Sequence, residues 1–222
     1  MSSKPPAPDA KPVAFRDIRM QIQDGDLFLF RGNFRSSKIF EWLTHSYYSH
    51  ATIVSWWGDR LMILQAEGPG IQAIPLSVAI ATYPGRADWY RLRREDYPDS
   101  EATLKTVLLE AKSDLGLPFG ILDLFKRLFR WLKVVKLSDP VSPKGMFCSE
   151  YVERCFRIGG MPLRDAKDIA TLPQQIAESP HIEYVATIIH DNADLDPRDV
   201  DDVHTGLTRS DHPVQPGARP PA

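Results

Sequence analysis

A histidine and a cysteine in this chain stand where a thiol nucleophile and its base would stand. His50 begins an apolar run, Ala51-Thr52-Ile53-Val54, that reads as a strand, and Cys148 opens a run ending near Ile158 that reads as a helix. The thiolate is the attacking form of cysteine, and a free thiol is mostly protonated at neutral pH. A helix N-terminus offers unpaired N–H groups and a partial positive charge that favour the thiolate. There the Cys148 N–H would also face a developing oxyanion. An imidazole within reach takes the thiol proton and returns it to a leaving group. Together these are the parts of a cysteine hydrolase.

A third group is needed to hold the imidazole. Ile63-Leu64-Gln65-Ala66-Glu67 reads as the strand returning from a hairpin turn at Gly58-Asp59. Residues 65 and 67 share a face of that strand, and either accepts the second ring N–H of His50. Glu67 would hold an imidazolium more strongly, and Gln65 is better placed within the strand. Spacing does not separate them. Tyr47 and Tyr48 directly precede His50 and are candidates for an oxyanion donor or a pocket wall.

The chain has two cysteines, and helical periodicity puts Cys148, Tyr151, Val152, Cys155 and Phe156 on one face. Cys155 within that stripe reads as a small buried hydrophobe. Seven helical positions separate the two thiols, roughly 10 Å of rise, whereas a disulfide needs Cα atoms within about 7 Å. With no internal disulfide, the chain reads as built for a reducing compartment. It has neither a CxxC nor a Cys–His spacing typical of zinc, so no metal and no cofactor are expected.

The elements that must carry these groups are legible in outline. Gly25 to Arg31 reads as a strand entered through a turn, and 36–45 as a helix capped by Ser36 or Ser37. Ala51–Trp57, Leu61–Ala66, Ile71–Leu76, Ala87–Leu92 and Ile182–Ile189 read as extended segments. Ser100–Leu115 carries apolar residues at 104, 107, 108, 111 and 115 and reads as a helix. Pro118 opens another helix that runs to about Val135, and Gly159-Gly160 closes the helix that begins at Cys148. The ensemble is an α+β domain, an antiparallel sheet packed against helices. Residues 1–14 read as a disordered arm, 15–190 as the domain, and 191–222 as a disordered tail.

Composition narrows the function. The 222 residues suit one domain, and 27 basic against 29 acidic side chains give a net charge of −2, so bulk charge does not call for nucleic acid. Met1-Ser2-Ser3-Lys4-Pro5-Pro6 has no apolar stretch behind it, and no apolar run is long enough to span a bilayer. The expectation is a cytoplasmic protein, with export by a non-classical route left open.

The order of these segments resembles the circularly permuted NlpC/P60 papain-like hydrolases, the YiiX/YebB-like group related to lecithin–retinol acyltransferases. The resemblance is carried by the Gly25-Asp26-Leu27, Ser49-His50 and Gln65-Ala66 strands and the Cys148-Ser149-Glu150 helix, with histidine before cysteine. Leu117-Pro118-Phe119-Gly120 ahead of the cysteine and Thr171-Leu172-Pro173 after it add to the match, which spans about residues 24–185. It implies a permuted papain-like fold, sheet or small barrel against helices, with Cys148 as nucleophile and His50 as base. The family's third polar residue, often Glu, falls at Gln65, while this chain has Glu two positions later, so the third role lies between Gln65 and Glu67. The implied activity is hydrolysis of an amide (peptide, isopeptide or cell-wall peptide) or of an acyl ester. The alternatives are a lipid acyltransferase or acyl hydrolase, and a non-catalytic membrane- or partner-binding module using the 119–136 helix.

Phe119–Lys136 interleaves a wide apolar arc with Lys126, Arg127, Arg130, Lys133 and Lys136. It reads as a core helix with snorkelling cations or as a surface for peripheral membrane or partner contact. A peptide or acyl-bearing substrate is thus the expected partner.

Overall fold

The computed structural model describes residues 12–32, 47–67, 70–97, 99–117, 144–164 and 171–189. The expected helices over 36–45 and 118–135, the basic stretch Phe119–Lys136, the Gly68-Pro69 turn, the tail 191–222 and residues 1–11 of the arm lie outside the described residues.

Several strands of this chain are apolar at every position rather than at alternate ones, as in Leu27-Phe28-Leu29-Phe30, which requires a sheet covered on both faces. Among the described residues the strands are β1 (Val13–Ala14), β2 (Leu27–Gly32), β3 (His50–Trp57), β4 (Arg60–Glu67), β5 (Gly70–Pro75), β6 (Gly85–Leu92) and β7 (Ile182–Ile189). They form one mixed sheet in the order β1-β7-β6-β2-β3-β4-β5. All pairs are antiparallel except β1 with β7. Among the described residues the α-helices are α1 (Phe15–Ile18), α2 (Leu76–Thr82), α3 (Ser100–Ser113), α4 (Lys144–Ile158) and α5 (Pro173–Ala177).

One sheet face buries Leu27, Leu29, Ala51, Ile53 and Leu64 against α3 and α4, which contribute Leu104, Val107, Tyr151, Val152, Cys155 and Phe156. The other face buries Phe28, Phe30, Val54 and Ile63 under Phe15 and Ile18 of α1 and Leu76, Ala79 and Ile80 of α2. The β3–β4 hairpin turns through Gly58, whose φ of 64° is the left-handed geometry such turns need.

Helix α4 ends in a glycine cap. The Met161 N–H donates to the Phe156 carbonyl at 2.8 Å, and Gly160 takes a φ of 86°. Gly159 is where α3 and α4 touch. A Cβ there would lie 2.3 Å from Val107 Cγ2 and 2.9 Å from the Val107 nitrogen.

The structure departs from the sequence reading in four places. Helix α4 starts at Lys144 rather than Cys148, because Gly145 sits in its first turn instead of breaking it. The stretch expected to be extended to Leu76 stops at Pro75, which precedes α2, and the apolar run Val78-Ala79-Ile80 packs as a helix. Helix α5 begins at Pro173, a residue suited to a first turn, and the Gln175 amide oxygen accepts the Leu172 N–H at 2.9 Å. Val13 and Ala14, assigned to the arm, pair with Ile188 and Ile189, so ordered structure begins before residue 15. No helix of the described residues is long and apolar enough to cross a membrane.

Gly159→Ala should lower stability by about 1–3 kcal/mol, the usual cost of overpacking, while Leu109→Ala on the exposed side of α3 should change it by no more than about 0.5 kcal/mol. Urea midpoints of the two variants make the comparison.

Candidate active site

His50 is the first residue of β3, and its position is fixed on three sides. It pairs with Phe30 across β2, and its ring lies 5.9 Å from the Phe30 ring centroid. The preceding Ser49 N–H donates to the Phe30 carbonyl at 2.9 Å, and the Ser49 hydroxyl meets the Tyr83 hydroxyl at 2.5 Å. The register that sets Ile53 against Leu64 brings Gln65 and Glu67 to the His50 end of the hairpin.

There the side chains form a line. His50 Nε2 lies 2.8 Å from Gln65 Oε1, and Gln65 Nε2 donates to Glu67 Oε2 at 3.0 Å. His50 also has a side-chain hydrogen bond and a charge interaction with Cys148. Since Nε2 faces Gln65, Nδ1 is the nitrogen left for the sulfur. Cys148 is fully buried at the top of the α4 stripe, in the core layer against one sheet face, and it meets His50 where β3 begins. Gln65 is buried as well, whereas Glu67 is exposed.

Burial by itself pulls the His50 imidazole down. The Cys148 sulfur beside it, the Glu67 carboxylate and the Gln65 amide oxygen outweigh that and push it up to about 9. Cys155 differs: burial pushes its thiol up to about 12, where it stays protonated. Both cysteines are free thiols.

Two expectations are corrected here. Cys148 is the fifth residue of α4, beyond the four N–H groups that a helix start leaves unpaired, so its amide is not a free helix-start donor. Tyr48 is fully buried, and its hydroxyl donates to Asp88 Oδ2 at 2.8 Å and lies 2.8 Å from the Tyr90 hydroxyl. Its hydroxyl is therefore committed to the core and not to an oxyanion. Tyr47 is half-buried, edge-on to Tyr48 and under the Arg31 guanidinium.

Two supports escaped the sequence reading. Gln174 of α5 accepts the Tyr47 N–H at 3.1 Å, tying the start of the His50 segment to α5. A buried network centres on Asp88, which takes bonds from Tyr48 and Thr187 and pairs with Arg31 at 3.3 Å. Burial raises the Asp88 carboxyl, and its Thr187, Arg31 and Tyr48 partners pull it back. The one signal in the sequence was an acid in mid-strand, Ala87-Asp88-Trp89-Tyr90, where an unpartnered charge would not be tolerated. On α4, the Ser149 hydroxyl donates to the Thr171 carbonyl at 2.6 Å and locks the helix to the segment leading into α5. Among the described residues, no three of His, Cys, Asp and Glu converge as metal ligands would.

No family model and no curated protein matches the chain. Among solved structures it is similar to the crystal structure of metalloprotein yiiX from Escherichia coli O157:H7. The TM-score is 0.54 at 21% sequence identity, over 77% of this chain and 99% of that one. At that identity the likeness concerns the fold, and it agrees with the mixed α+β architecture described above.

Because the folded ring holds its proton up to about 9, against about 6.5 in an unfolded chain, the charged ring contributes stability that is complete below the lower value. That contribution is lost as pH rises through the upper one. The urea-midpoint advantage of wild type over His50→Gln should therefore shrink between about pH 6 and about pH 10. A constant advantage across that range would show that the charged ring contributes nothing.

Proposed function

We propose that this chain is a cysteine hydrolase on a permuted papain-like fold. The observation that carries the reading is the line from Cys148 to His50 to Gln65, in which the ring has a side-chain hydrogen bond with Cys148 and its Nε2 is held at 2.8 Å by an amide oxygen. The order of histidine before cysteine and the yiiX-like fold support it.

In this mechanism His50 Nδ1 takes the proton from Cys148, and the sulfur adds to the carbonyl carbon of the substrate. As the tetrahedral intermediate collapses, the C–N or C–O bond breaks and the imidazolium gives its proton to the departing amine or alcohol. Water, deprotonated by the same nitrogen, then adds to the thioester. Collapse of the second intermediate releases a carboxylic acid and returns the thiol. Gln65 keeps the ring oriented throughout, as amide side chains do in papain-like sites. The substrate is an amide of a peptide, isopeptide or cell-wall peptide, or an acyl ester. A second acceptor in place of water turns the same thioester toward acyl transfer.

Alkylation by iodoacetamide tests the reading, with Cys155 as an internal control. Label should enter Cys148 selectively near neutral pH, and His50→Ala should slow it by a factor of about 100 or more, the lower end of what a positioned base contributes. Cys148→Ala should abolish turnover of a panel of acyl esters and peptide anilides. Slow labelling with an ordinary thiol profile, indifferent to His50, would sink the proposal.

A further inference from the structure

We infer that Glu67 is the positioning residue of this site. It fixes which end of the Gln65 amide faces His50, and through that which ring nitrogen carries the proton. The inference rests on the hydrolase reading above and assigns the roles that spacing left open between residues 65 and 67.

An amide side chain has a donor end and an acceptor end, and turning it over exchanges them. Once His50 is neutral, nothing in the ring selects one, since a neutral imidazole also offers one donor and one acceptor. Two arrangements are self-consistent. With the oxygen toward the ring, Nε2 carries hydrogen and Nδ1 presents a lone pair to Cys148. With the NH2 toward the ring, Nε2 is the acceptor and Nδ1 points its hydrogen at the sulfur, where it cannot take the thiol proton.

Glu67 breaks the tie. An ionised carboxylate only accepts hydrogen bonds. Its oxygen lies 3.0 Å from Gln65 Nε2, so the NH2 end must turn toward it, and the Oε1 end is then delivered to His50 Nε2 at 2.8 Å. Hydrogen bonds to an ionised group are roughly twice as strong as neutral ones, enough to bias the two orientations decisively. Strand geometry makes this possible, because residues 65 and 67 share a face of β4. Among the described residues, the groups that bear on the imidazole charge are Cys148 from α4, and Glu67 and Gln65 from β4. Glu67 is exposed, so its replacement leaves the core packing untouched.

The test combines a tautomer readout with a rate. In wild type above about pH 9, where the ring is neutral, ¹⁵N chemical shifts of His50 should report hydrogen on Nε2, and iodoacetamide should label Cys148 as above. Glu67→Gln removes the charge at constant shape. It should move hydrogen toward Nδ1 in the neutral ring, read above about pH 9, and slow labelling by about 10-fold, short of the loss on removing the base itself. In a Gln65→Glu background there is no amide to turn, so adding Glu67→Gln should leave the labelling rate unchanged or raise it. An unchanged tautomer and rate in Glu67→Gln, or an equal loss in the Gln65→Glu background, would overturn the assignment. His50→Ala, run alongside, separates the two levels. If it slows labelling while Glu67→Gln does not, the assignment fails and the hydrolase reading stands. If neither slows it, both fail.

Discussion

The position of the site depends on one packing constraint, the burial of a helix stripe against the β3–β4 hairpin. Tyr151, Val152, Cys155 and Phe156 of α4 are all within 1% of full burial. At roughly 1.5–3 kcal/mol for each large apolar side chain removed from water, that stripe fixes the axial rotation of the helix. The Tyr151 hydroxyl, donating to the Ala111 carbonyl at 2.7 Å, and Gly159, which admits Val107, fix its distance from α3. Cys148 stands one turn above Tyr151 and Val152 on the same face. It reaches His50 because the residues below it leave the helix no other seat.

The histidine side of the site is held by polar contacts. A ring at the start of a strand has less backbone pairing than one in the middle, and the segment 47–50 is anchored at each step. Tyr47 is tied to Gln174, Tyr48 to Asp88, Ser49 to Phe30 and Tyr83, and His50 to Gln65. The Asp88 carboxylate is fully buried and is retained only because Arg31, Thr187 and Tyr48 compensate it together. Half of a buried polar network costs more than none. Its completeness here makes Tyr48 a structural post immediately before the His50 strand, with its hydroxyl committed to Asp88 and Tyr90.

Apolar pattern made most of this fold legible from sequence. The β3–β4 hairpin, the buried face of α3 and the α4 stripe all follow from periodicity, and the Gly58 and Gly159-Gly160 punctuation was read correctly. What escaped notice depended on partners distant in the chain. Helix α2 is apolar nearly throughout and carries no period to mark it, and α5 is too short for one. Helix α4 begins at Lys144, four residues before the expected start at Cys148, and with that goes the helix-start role of Cys148. The Asp88 network joins residues 31, 48, 88 and 187, which only the sheet order β7-β6-β2-β3 brings together. For the candidate site, residue types and strand faces pointed to Cys148, His50, Gln65 and Glu67, which the structure brings next to one another. Their sequence along a line of hydrogen bonds was not legible, because spacing cannot say which of two residues on one face lies nearer the ring.

That ordering has a physical rationale. A carboxylate placed at residue 65 would be buried beside a buried histidine, and desolvating it costs several kcal/mol unless every lone pair finds a donor. An amide at that position carries no net charge to desolvate. Its weakness is ambiguity, since it can present either end. Moving the anion two residues along, to a position that reaches water, keeps the charge hydrated while its hydrogen bond removes the ambiguity. The charge also acts on the ring at a distance, adding to the contribution of Cys148 in holding the proton. Separating orientation from charge in this way lets a buried thiol–imidazole pair have an anionic partner without burying a third ionisable group.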